Sequence, residues 1–143
     1  MPRNVYSEIN LHLTWHTKQS APMIVPEIEE RLHHYLQHRA LQTEGVRFHA
    51  VGGTETHVHL AVSIPPTLNI SEWIGKLKGA SSHYTNHEIA NSKLLEWQTG
   101  YGVVGFGTRD LAWVKNYIAN QKKHHAGGTI HARLEKTETD EPG

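Results

Sequence analysis

Two histidines separated by one residue, His57-Val58-His59, open the chemical reading of this chain. In an extended strand residues i and i+2 share a face, so both imidazoles project together and Val58 points the other way. Two neutral imidazole nitrogens at that spacing can grip one divalent ion. The chain holds 13 histidines, so one such pair also arises from composition alone. A second pairing, Tyr117 and Gln121, is four residues apart, which on a helix puts one side chain above the other. A tyrosine hydroxyl can serve as a nucleophile that forms a covalent intermediate. The glutamine offers a carbonyl oxygen as a further metal ligand. The plain alternative is a half-buried aromatic beside a solvated amide. His124 follows Tyr117 by seven positions and returns to its face. Lys122, Lys123 and His125 suit phosphate contacts, or equally an ordinary solvated helix end whose cations favour the dipole.

The elements that must position these residues follow from periodicity. Residues 4–16 alternate loosely, with Val5, Ile9, Leu11, Leu13 and Trp15 apolar, which predicts a first strand. Pro26 with Glu27, Glu29 and Glu30 opens a helix. Its Ile28, Leu32, Tyr35, Leu36 and Leu41 fall broadly on one face, and Gly45 stops it. Val46 to Val51 reads as a second strand, Gly52-Gly53 as a turn, and His57 to Ile64 as a third strand closed by Pro65-Pro66. Strands joined this tightly make an antiparallel hairpin. Asn69 with Glu72 three residues on predicts a capped helix start. Trp73, Ile74, Leu77 and Tyr84 give that helix an apolar side, and Lys76 and Lys78 stand elsewhere on it. Residues 92–100 read as a connection, and Tyr101 to Gly107 as a bulged or edge strand. Thr108 caps a last helix that runs to His125 and stops at Gly127-Gly128. The order β-α-β-β-α-β-α predicts an α+β fold: a ferredoxin-like split βαβ antiparallel sheet with an extra C-terminal helix. Residues 1–125 form the domain, and 126–143 read as a polar, disordered tail.

Composition bounds the chemistry. The 143 residues suit one domain with a real core. There are no cysteines, which excludes disulfides, thiolate metal sites and a cysteine nucleophile. No stretch reaches the roughly 18 apolar residues of a membrane helix, and Met1-Pro2-Arg3-Asn4 leads into no apolar run of a signal peptide. A cytoplasmic location with no membrane partner is expected. Lys+Arg and Asp+Glu both number 14. Residues 126–143 hold Arg133 and Lys136 against Glu135, Glu138, Asp140 and Glu141, so the first 125 residues keep a small positive excess. Any basic face for nucleic acid is local.

Taken in order, His57-Val58-His59-Leu60, Trp97-Gln98 ahead of a glycine-rich strand, and Tyr117-Ile118-Ala119-Asn120-Gln121-Lys122-Lys123-His124-His125 resemble the single-tyrosine HUH transposases of the IS200/IS605 type and their REP-associated relatives. The resemblance covers residues 1–125. It implies that His57, His59 and Gln121 bind Mg²⁺ or Mn²⁺ and that Tyr117 attacks a phosphate of single-stranded DNA carrying hairpins. The products it implies are a 5′-phosphotyrosine and a free 3′-OH, held for rejoining. Lys76, Lys78, Lys122, Lys123, His124 and His125 are the expected DNA contacts. It also implies a homodimer, in which His57 and His59 of one chain are completed by Tyr117 and Gln121 of its partner; the alternative, all four residues from one chain, needs only a different path through Gly105 and Gly107. One departure stands out: where the family often has Met-Pro-Asp or Met-Pro-Asn before the first histidine, this chain has Gly53-Thr54-Glu55-Thr56.

Two other readings are open. A two-histidine phosphoesterase needs paired His-x-Thr motifs, which His12-Leu13-Thr14 and His83-Tyr84-Thr85 supply in sequence. A DNA-hairpin binder on the same fold needs neither the tyrosine nor the metal.

Overall fold

The computed structural model describes residues 5–137. Its strands are β1 (Asn10–His16), β2 (Arg47–Thr54), β3 (His57–Ser63) and β4 (Gly102–Phe106). They form one antiparallel sheet in the order β2-β3-β1-β4, the split βαβ arrangement expected. Register sorts the side chains by face. Leu11, Leu13 and Trp15 of β1 lie beside Val62, Leu60 and Val58 of β3. The alternate residues, Asn10, His12, Thr14 and His16, lie beside Ser63, Ala61, His59 and His57. One face is thus apolar and the other polar.

Helices α1 (Pro26–Leu41) and α2 (Ile70–Tyr84) cover the apolar face. In α1, Pro26 occupies the first turn with Glu27 and Glu29, His38 and Arg39 end it, and Ile28, Leu32, Leu36 and Ala40 bury one row at four-residue spacing. Gly45 reverses the chain at φ 85°, a conformation that favours glycine. Asn69 caps α2 by accepting from the Glu72 N–H at 3.2 Å. Trp73, Ile74 and Leu77 are buried, and the Trp73 indole donates to Thr43 at 2.9 Å, so this tryptophan belongs to the core.

The polar face is covered by α3 (Leu111–Ala119), α4 (Gln121–Gly127) and α5 (Ala132–Glu135). Ala61, Val114 and Ile118 make a second, smaller core there with Ala50 and Phe106.

Several expectations are corrected. The first strand begins at Asn10, and Val5 and Tyr6 before it are exposed; Asn4 lies outside the described residues. Gly52-Gly53 is no turn but the end of β2, where a Cβ on Gly52 would stand 2.3 Å from the Ile118 carbonyl oxygen. These glycines serve close backbone approach, and the hairpin turns at Glu55-Thr56 instead. Thr108 does not cap the last helix; its hydroxyl accepts from Asn10 Nδ2 at 2.9 Å, and a short 3-10 turn over Thr108–Asp110 leads in. That helix is also not continuous. Asn120, at φ −109° and ψ 28°, separates α3 from α4, with its side-chain amide donating to the Asn116 carbonyl at 2.8 Å. Gly128, at φ 69°, ends α4 as the glycine pair predicts. The segment read as a disordered tail is structured through residue 137: Leu134 is buried, and Gly102 leaves room for the Lys136 carbonyl, which a Cβ would meet at 2.0 Å. Residues 138–143 lie outside the described residues. Among the described residues, no helix is long and apolar enough to cross a membrane.

Candidate active site

His57 and His59 project from β3 onto the polar face, and both are buried. The two threonines that stand in the departed motif orient the first of them: Thr54 and Thr56 hydroxyls each lie 3.0 Å from His57 Nδ1. This leaves His57 Nε2 facing Gln121 Oε1 at 3.3 Å. His59 is held from β1, with its Nδ1 2.7 Å from His12 Nε2. A partner on one ring nitrogen selects which nitrogen of the other edge is free.

The far ends of α3, α4 and α5 close over these rings. Tyr117 is buried with its ring edge-on to His59 at 6.1 Å. Its hydroxyl donates to Glu135 Oε2 and accepts from the His131 N–H at 2.8 Å. The other carboxylate oxygen, Oε1, lies 3.2 Å from His59 Nε2, 3.4 Å from His125 Nε2 and 3.6 Å from His57 Nε2. His125 Nε2 is also 3.1 Å from Gln121 Oε1. One ligand atom each from His57, His59, His125 and Glu135 falls within 4.8 Å of the others.

The electrostatics suit a cation. Burial, and then the neighbouring charge of His59, pull the His57 imidazole down to about 3, so its lone pair is available at neutral pH. Burial opposes ionisation of Glu135, but the close approach and charge of His59 and the hydrogen bond from the Tyr117 hydroxyl outweigh it and hold the carboxyl at about 2. Burial, followed by the hydrogen bond to Glu135, pushes the Tyr117 hydroxyl up to about 12. His59 Nε2 is buried with no hydrogen-bond partner, 3.2 Å from a carboxylate oxygen. When His59 Nδ1 donates to His12, a lone pair and an anionic oxygen face each other there. A divalent ion satisfies both, so the residues present fit one.

All of the site residues read from sequence as ligands or nucleophile therefore come together within one chain. In this structure of a single chain, Gln121 and Tyr117 lie against the chain's own histidines. The short path from β4 into α3 and the glycine notch at Gly52 seat α3 on its own sheet. Other candidates are placed differently. Lys78 donates to the carbonyls of Gln98 at 2.7 Å and Gly100 at 3.0 Å, fastening the connection before β4. Lys76 is exposed beside Glu72 at 3.3 Å. Lys122 pairs with Glu29 of α1, and Lys123 is exposed. His124 stacks on Tyr117 at 4.7 Å rather than standing out toward solvent. His125 belongs with the ligand cluster; its spacing of four from Gln121 was the signal for it. His12 shares the face of the pair by strand period. Nothing in the sequence marked Glu135. The two His-x-Thr motifs do not converge, because His12 is on the polar face and His83 is on α2 across the sheet.

The family model described as transposase IS200 like matches residues 5–121. The chain belongs to this family. This IS200-like transposase is 26% identical over 124 residues to the ISDra2 transposase TnpA of Deinococcus radiodurans, covering 83% of this chain and 88% of that one. A solved Deinococcus radiodurans R1 structure ascribed to a transposase superposes with a TM-score of 0.66 at 25% identity, over 85% of this chain and 96% of the other. The structure of a REP-associated tyrosine transposase bound to a REP hairpin shares the fold, with a TM-score of 0.61 at 15% identity over 91% of this chain and 75% of that one. As a family member the chain is a DNA-processing enzyme of transposition.

Proposed function

We propose that this transposase cuts and rejoins single-stranded DNA through Tyr117, with a divalent ion held by His57, His59 and Gln121. The observation that carries the reading is the convergence on one spot of a tyrosine hydroxyl, a carboxylate and imidazole nitrogens from four different elements. His125 and Glu135 extend the donor set. The set is rich in imidazole, which favours Mn²⁺ over Mg²⁺, a cation that prefers oxygen ligands. A bound divalent cation supplies Lewis acidity that offsets charge developing on the scissile phosphate.

Tyr117 Oη attacks the phosphorus, and the bond to the 3′-oxygen breaks. The hydroxyl proton lies on the hydrogen bond to Glu135, which gives it an acceptor. The products are a 5′-phosphotyrosine and, once the leaving oxygen takes a proton, a 3′-OH that reverses the step during rejoining. His131 holds the tyrosine oxygen through its backbone N–H. Substrate strands with hairpins are the proposed class, supported by the REP hairpin of the second solved structure. The proposed assembly is a homodimer, since β2 and β4 are both edge strands, which proteins cover or pair. The proposed compartment is the cytoplasm.

Wild type and Tyr117→Phe are incubated with Mn²⁺ and single-stranded oligonucleotides spanning palindromes beside the gene. Wild type is expected to give a covalent adduct on a denaturing gel, and Tyr117→Phe none. An adduct surviving in Tyr117→Phe overturns the nucleophile. Mn²⁺ binding unchanged by His57→Ala/His59→Ala overturns the metal site. Binding without any wild-type adduct selects the hairpin-binder reading.

A further inference from the structure

Among the described residues, Trp15 and Trp73 are buried and Trp97 donates its indole N–H to Ser81, whereas Trp113 is 50% exposed. It stands on α3 one turn before Tyr117, and the two rings are nearly parallel, with centroids 5.5 Å apart and planes at 7°. Tyr117 in turn stacks on His124. His131 lies edge-on to Trp113 at 5.3 Å while its backbone holds the Tyr117 hydroxyl. Trp113 thus ends a column of rings, His124, Tyr117 and Trp113, with the nucleophile in its middle. In front of it is a cavity of about 330 Å³, lined also by Phe106, Asp110, His131 and Arg133. That volume is in the range of small-ligand sites, which begins at about 300 Å³.

We propose that this cavity is a nucleobase subsite, in which a base flanking the scissile phosphate stacks on Trp113. The proposal rests on the reading of the chain as a single-stranded DNA nuclease. Three features favour a base over a phosphate or a bare apolar group. A half-exposed indole offers a flat apolar face that every base can stack on. Asp110 and Arg133 bring opposite charges that offset one another, so the cavity gives a phosphate no net attraction. Together they supply one acceptor and one set of donors for the polar edge of a base. One helical turn, about 5.4 Å, separates Trp113 from Tyr117, which puts the stacked base next to the bond that breaks. Trp113 acts here as a positioning residue for the strand.

The test compares wild type, Trp113→Phe and Trp113→Leu on a labelled single strand that wild type cleaves. Single abasic nucleotides are scanned through that strand. Stacking on an aromatic is worth a factor of about 5 to 150 in affinity per base. Trp113→Leu is expected to weaken binding by that factor and Trp113→Phe to restore most of it. One abasic position beside the cleavage site should weaken wild type equally and Trp113→Leu no further, since both changes remove one contact. Quenching of wild-type tryptophan fluorescence by the strand, lost with the same abasic position, reads the contact without any protein variant. Additive losses, or wild-type affinity in Trp113→Leu, overturn the subsite while wild-type adduct leaves the nuclease reading standing. Absence of any wild-type adduct overturns the nuclease reading and the subsite with it.

Discussion

Replacing Gly52 by alanine tests how the sheet seats the nucleophile. Gly52 lies opposite His59 in the β2–β3 ladder and touches the end of α3. An added Cβ would stand 2.3 Å from the Ile118 carbonyl oxygen, 3.0 Å from Ile118 Cγ2 and 3.1 Å from its carbonyl carbon. A carbon–oxygen contact relaxes only at about 3.3 Å, so α3 must withdraw by about 1 Å. The obstacle is backbone, which no rotamer change relieves. Such overpacking costs about 1–3 kcal/mol of stability. Ile118 follows Tyr117 directly, so the hydroxyl moves with it. A displacement of about 1 Å at a reacting group lowers rate on the order of 100-fold. Gly52→Ala is therefore expected to shift the urea midpoint down and to slow adduct formation by about that factor, with strand affinity little changed. Gly75→Ala is the control: nothing lies within 4 Å of its Cβ, and alanine inside α2 should gain about 0.5–1 kcal/mol. If Gly52→Ala matches wild type in both midpoint and adduct rate, the glycine notch does not set the site and the reasoning fails.

Two further outcomes follow from the same geometry. His12 and His57 are each held at about 3 by burial first and by the charge of His59 next, well below the ordinary 6.5. The unfolded chain then binds more protons than the folded one below pH 6.5, so the stability they contribute is full above that value and is lost as pH falls toward 3. Each contributes up to about 1.4 kcal/mol per pH unit in that window. Glu135, also depressed, loses its contribution only below its ordinary 4.5 and does not mask the effect. Urea midpoints of the metal-free protein should fall from pH 7 to pH 5, and a flat profile would contradict the burial of these rings. Mixing a His57→Ala/His59→Ala chain with a Tyr117→Phe chain tests the single-chain arrangement of the site, under which every site carries a lesion and no adduct is expected. Adduct recovered from verified heterodimers would show exchange of α3 and α4 between copies.

Strand period put His57 and His59 on one face with no knowledge of the fold, and helix period put Tyr117 above Gln121. The pattern of turns and apolar faces was sufficient for the β-α-β-β-α-β order. These are local facts, carried by a repeat of two or of 3.6 residues. What lay outside their reach was everything set by approach between distant segments. Gly52-Gly53 reads as a turn by composition, yet it is strand, because its lack of side chain serves the Ile118 backbone 66 residues away in sequence. Gly102 does the same for Lys136. Glu135 comes from a stretch whose polarity predicts disorder, yet Leu134 beside it is buried and fixes the carboxylate against three histidines. Whether Tyr117 meets its own chain's histidines or a partner's was open from sequence, since both arrangements use the same local pattern. Within the single chain, α3 crosses the polar face and brings Tyr117 to its own histidines, through contacts that no periodicity encodes.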